Sequence, residues 1–149
     1  MRRFIRVILL AVVLASCSNE ASPAAVSEQE ARDLLRAVAA DVRDNGPEAA
    51  CTHAATQANC RQLLADSGAP GVEPPSVACA LRVMADGDRV RGVLLVTEGM
   101  DDTGSPYRSQ FLAIGTEDGV RAQNPVYWSG VGVATAGAEV VPMTGGDCR

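Results

Sequence analysis

At 149 residues and 15.5 kDa, the chain holds one domain once any targeting segment is set aside. Hydrophobic residues make up 47% and charged ones 21%, which excludes a disordered or fibrous chain; aromatic residues are only 3%, so Val, Leu and Ala must build the core. All 13 basic residues are Arg, and against 18 acidic ones they leave a net charge of −5, which argues against nucleic-acid binding, while one His and five Cys exclude a His-rich metal site.

Arg2, Arg3 and Arg6 precede an uninterrupted apolar run over residues 7–15. That run is far below the roughly 18–20 residues needed to span a bilayer, so it is an export signal and not a structural helix. It ends in Leu14-Ala15-Ser16-Cys17. These four residues resemble the lipobox of bacterial lipoproteins. The resemblance implies that residues 1–16 are a signal peptide, and that the Cys17 thiol receives a diacylglyceryl group before cleavage ahead of Cys17. Acylation of the new amino terminus often follows. Two or three acyl chains anchor a protein stably where one is marginal. The implied location is the extracytoplasmic face of a cell membrane, with the membrane as partner through the lipid. Loss of the first 16 residues leaves ten arginines against 18 acidic residues, a net charge of −8. Such a domain is repelled by an anionic membrane surface, so the lipid must hold it there.

Residues 17–26 are small, polar and Pro-bearing, a flexible tether. Ser27-x-x-Glu30 is a capping box that opens a helix with Ala31, Leu34, Leu35, Val38 and Val42 on one face. Arg32, Asp33, Arg36 and Asp41 cover the other face, and Asn45-Gly46 ends the helix. Pro47 suits the first position of a second helical stretch, whose middle holds the poor helix formers Thr52, His53, Thr56 and Asn59. The spacing predicts a kink there, or two short helices. Gly68 closes the stretch, and residues 69–76 form a Pro-rich connector.

From Val77 the hydrophobic period changes to two. A first strand places Val77, Cys79, Leu81 and Val83 on one face, which is expected to meet the helices. Asp86-Gly87 is a hairpin turn signal. A second strand covers residues 89–97, an acidic loop 98–106, and a third strand 107–114. Glu117-Asp118-Gly119 turns into a fourth strand over 120–128, where Pro125 points to an edge position or a bulge. Residues 138–142 supply a short fifth strand, and 143–149 a C-terminal tail held by a disulfide. Helices followed by an antiparallel meander predict an α+β fold over residues 27–142, with the helices packed on a sheet of four to five strands.

The order of these elements resembles the small NTF2-like lipoproteins of high-GC bacteria. The residues that carry the likeness are 31–42, Asn45-Gly46 and Glu48-Ala49-Ala50-Cys51. The resemblance covers residues 27–128 and implies an NTF2-like (cystatin-like) curved sheet around a cone-shaped cavity. Tyr107 and Phe111 on one face of the third strand, with Trp128 at the end of the fourth, either line that cavity as ligand-binding residues or fill a core short of large side chains.

Cys51, Cys60, Cys79 and Cys148 remain in the mature chain, an even number that reads as two disulfides. On one straight helix Cys51 and Cys60 stand roughly 13 Å apart, too far to bridge. With Cys79 on the helix-facing side, Cys51–Cys79 and Cys60–Cys148 are the preferred pairs; a break near Thr56 restores Cys51–Cys60.

His53 is the one candidate general base at neutral pH. NTF2-like enzymes use a pocket Asp or an Asp/His pair, and no such pair falls on the predicted cavity-facing strands. Glu98, Asp101 and Asp102 do not match a calcium-loop spacing and read as a solvated acidic turn. No Cys-x-x-Cys motif is present, and neither a metal nor a cofactor is implied. The expected function is a non-catalytic module that engages an apolar small molecule in the cavity or an envelope protein along the sheet. The alternatives are an NTF2-like enzyme acting on a small molecule and a structural accessory subunit of an envelope complex.

Overall fold

A computed structural model describes residues 25–84, 90–130, 132–133, 139–144 and 148. The expected signal peptide, Cys17, most of the expected tether and the expected Asp86-Gly87 turn lie outside the described residues. Helix α1 spans Glu28–Asn45 and starts at the capping box: the Ser27 hydroxyl accepts from the Glu30 N–H at 3.2 Å, and the Glu30 carboxylate accepts from the Ser27 N–H at 2.8 Å. Val26, assigned from sequence to the tether, is buried and joins the core instead. Gly46 ends α1 with φ +91°, a conformation that β-carbon-bearing residues avoid.

The second helical stretch divides into a 3-10 helix, Pro47–His53, and α2, Gln57–Ala65. The break is put to use. The Ala55 N–H donates to the Ala122 carbonyl at 2.8 Å, so the interruption pairs the helical layer with the sheet. It also folds the chain back, bringing the Cα atoms of Cys51 and Cys60 to 5.5 Å in a disulfide. No helix among the described residues is long and apolar enough to cross a membrane.

Five antiparallel strands form one open sheet: β1 (Ser76–Met84), β2 (Val90–Met100), β3 (Pro106–Thr116), β4 (Gly119–Asn124) and β5 (Val140–Thr144), in the spatial order β4-β3-β2-β1-β5. Strand β4 lies at an edge, as Pro125 suggested. It stops at Asn124 and not at Trp128, because Pro125 has no N–H to donate and the Asn124 side chain takes over, accepting from the Val126 N–H at 3.1 Å. Strand β5 forms the other edge and carries Pro142, another residue suited to an edge. Met143 and Thr144, expected in the tail, belong to this strand.

A β-bulge decides the cysteine pairing. Val77 pairs with Thr97 and Cys79 with Val96, so one extra residue, Ala78, sits between them. A one-residue slip moves a side chain to the opposite face. Val77 and Ala80 therefore pack with the helix-side core, while Val83 and Leu81 join a second cluster with Leu94 and Leu112 on the far face. Cys79 turns away from the helices with them. The pairs expected from sequence, Cys51–Cys79 and Cys60–Cys148, are corrected to Cys51–Cys60 and Cys79–Cys148.

The main core lies between α1 and strands β2, β3 and β4. Leu35, Val38 and Val42 of α1 share it with Val93, Leu95 and Phe111 of the sheet. Ala31 and Ala39 on the helix and Ala80, Ala113 and Ala122 on the strands keep the two layers close. The low aromatic content is thus offset by small side chains that permit close packing.

Candidate functional site

The described residues form a groove of about 660 Å³ between α1 and residues 69–75. Its outer wall is the Pro-rich connector. Trp128 Nε1 donates to the Gly68 carbonyl at 3.2 Å just before it, and the Asp102 N–H donates to the Ala69 carbonyl at 3.1 Å. The Gly71 N–H donates to the Met100 carbonyl at 2.9 Å; a β-carbon on Gly71 would lie 2.6 Å from that oxygen, so this approach requires glycine. Beyond Gly71 the connector runs alongside α1, with Val72 almost fully exposed. Proline at 70, 74 and 75 limits the conformations of this wall.

The groove's apolar lining comes from Leu35, Ala39 and Val42 of α1, Val77 at the start of β1, and Tyr127. Along α1, Arg32, Arg36 and Arg43 recur at helical spacing and line the same groove, with Ala39 and Ala40 between them. Each guanidinium has a carboxylate neighbour: Arg32 holds Glu28 at 2.7 Å, Arg36 meets Asp33, and Arg43 holds Asp44 at 2.9 Å. The Arg36 and Arg43 side chains keep more than half of their exposure, so these are exchangeable surface pairs. Glu73 lies on the connector side.

Tyr127 is 3% exposed, and its hydroxyl has no hydrogen-bond partner among the described residues. Its ring meets the Trp128 ring edge-on, with centroids 4.9 Å apart. Burial pushes the Tyr127 phenol up to about 12. The Tyr107 phenol is raised as well, first by burial and then by the nearby Tyr127. Both are therefore protonated donors at neutral pH.

Of the three aromatic residues singled out from sequence, Tyr107 and Trp128 come together and Phe111 does not join them. Tyr107 and Trp128 line a second cleft of about 450 Å³, with Asp101, Arg108 and Gly130 among its walls. Phe111 is fully buried in the main core and lines none of the clefts formed by the described residues. Tyr127 and the arginine stripe escaped sequence reading. Their signals were the spacing of Arg32, Arg36 and Arg43 and the length of the Pro-rich connector opposite.

His53 is not isolated: its Nε2 lies 3.1 Å from an Asp41 carboxylate oxygen. Asp41 also accepts from Asn45 at 2.6 Å and from Thr52 at 3.3 Å. The Asn45 hydrogen bond, then that of His53, holds the Asp41 carboxyl below its usual range. The pair joins α1 to the 3-10 helix and lies outside the groove lining. In the acidic loop, Asp101 is occupied by its own turn, accepting from the Thr103 N–H at 2.9 Å and the Ser105 N–H at 2.8 Å. Among the described residues no group of three His, Cys, Asp or Glu gathers to hold a metal ion. No protein-family model, curated protein or solved structure matches this chain.

Proposed function

We propose that this chain is a lipid-anchored extracytoplasmic lipoprotein whose domain binds a small, largely apolar ligand without chemical turnover. The observation that carries the proposal is the groove between α1 and the connector. Its volume falls within the roughly 300–1,000 Å³ of small-ligand sites, and its wall is apolar with a few polar groups. The lipobox at residues 14–17 supports the anchor, and two disulfides suit an oxidising compartment. The order of helices and then an antiparallel meander supports an NTF2-like relationship. The Asp41–His53 pair is the natural acid–base candidate for an enzyme, but it stands outside the groove lining, which favours binding over catalysis.

Native mass spectrometry of the full chain taken from its own cell envelope tests both parts. The expected result is an amino terminus at Cys17 carrying a diacylglyceryl group, together with a stoichiometric small-molecule adduct. An unmodified Cys17 overturns the anchor. A clean unliganded mass overturns a tightly held ligand and redirects the search to an envelope protein or a larger complex.

A further inference from the structure

We infer that the occupant of the α1–connector groove is a single-chain anionic amphiphile, with an acidic head at the arginine stripe and its apolar chain along Leu35, Val42 and Val77. This rests on the groove being the ligand site. The first ground is the polarity of the lining. Arg32, Arg36 and Arg43 can only donate hydrogen bonds, and the raised Tyr127 phenol is a donor at neutral pH. A lining dominated by donors is matched by a group that only accepts, and an ionised carboxylate is such a group.

The second ground is Tyr127 itself. Its ring is held against Trp128 while the residue lines the groove, so its protonated phenol is a fixed donor that an acceptor in the groove can meet. The third ground is charge. The protein is net anionic, yet this edge of α1 concentrates three guanidiniums on one groove. Arg36 and Arg43 are held only by exposed neighbours in sequence, which a bound carboxylate can replace. The cavity volume is that of a single drug-sized molecule, which limits the occupant to one chain.

Trp128 is the only tryptophan, and its ring abuts that of Tyr127, so its fluorescence reports on the groove. The probes are undecanoic acid and undecanol, each brominated at the chain end, added to the full chain in zwitterionic lipid nanodiscs. The acid is expected to quench Trp128 at about tenfold lower concentration than the alcohol, the margin of one charge-assisted hydrogen bond. In an R36E/R43E variant, altered only at exposed helix positions, that preference should shrink below about threefold while quenching by the alcohol persists. Equal quenching by acid and alcohol in the native chain overturns the anionic class and leaves the binding module standing. Failure of both probes to quench overturns the groove as a ligand site. An undiminished preference in the variant removes the arginines from recognition and sinks the inference.

Discussion

Thr97 and Ser109 face each other across β2 and β3, both out of water, and only one of them has its hydroxyl satisfied. Thr97 Oγ1 donates to the Tyr127 carbonyl at 3.1 Å and lies 3.3 Å from the Ser109 carbonyl, while Ser109 Oγ has no partner among the described residues. Two opposite outcomes follow from substitutions of similar size. Thr97→Val keeps the shape but strands the Tyr127 carbonyl, and should cost about 1–2 kcal/mol. Ser109→Ala removes a buried hydroxyl that has lost water and gained nothing, and should be neutral or stabilising by up to about 1 kcal/mol. Urea unfolding of the two variants checks the pair, and a stabilised Thr97→Val would contradict the role assigned to that hydrogen bond. Because Thr97 fastens the backbone of Tyr127, the valine variant should also loosen the groove wall.

Among the elements, α1 was the most legible. Ser27 and Glu30 marked its start, Asn45-Gly46 its end, and the apolar period its buried face. The division of the next helix could be read from Thr52, His53 and Thr56, and the edge position of β4 from Pro125. What eluded sequence reading was non-local. Nothing in Val77-Ala78-Cys79 advertises a bulge, since alternation continues plausibly through it; the register is set by pairing with Thr97 and Val96 on another strand. Tyr127 likewise owes its place to a turn after β4 and to Thr97, and the groove exists only once the connector is laid against α1. The two disulfides tie different elements, and their loops differ in length. Cys51–Cys60 closes a separation of 9 residues between neighbouring helical segments, whereas Cys79–Cys148 closes 69 and ties the chain end to the sheet. Loop-closure entropy predicts a loss of roughly 3 kcal/mol for the C51A/C60A variant and roughly 4 kcal/mol for C79A/C148A. Thermal or denaturant unfolding ranks them, and the reverse order would show that the tail tie contributes little.

At the scale of the molecule, three hydrogen-bonded carboxylates in separate regions impose one pH response. Glu30 is held below its usual range chiefly by the Ser27 side chain, Asp41 by Asn45 and then His53, and Asp101 by Thr103 and then the Ser105 backbone. A carboxylate whose folded pKa is depressed binds protons more weakly in the native than in the unfolded chain. Its contribution is complete above the unfolded values of 4.5 for Glu and 3.8 for Asp and is lost as pH falls through the lower folded values. The urea midpoint should therefore fall steadily as pH drops below about 4.5. Glu30→Gln and Asp101→Asn should each reduce that slope. A midpoint that rises on acidification contradicts all three assignments.

The bulge at Ala78 also bears on how the chain matures. By sending Cys79 to the far face, it leaves the four bridged cysteines joined in sequence order, Cys51 to Cys60 and Cys79 to Cys148. That is the order in which synthesis delivers them. A thiol oxidant that couples each new cysteine to the last unpaired one produces the native bonds directly, whereas interleaved pairs would demand a round of thiol–disulfide exchange. The Cys79–Cys148 bond must wait until the chain has grown 69 residues past Cys79. One displaced residue in a strand thus keeps the two bonds from interleaving along the chain.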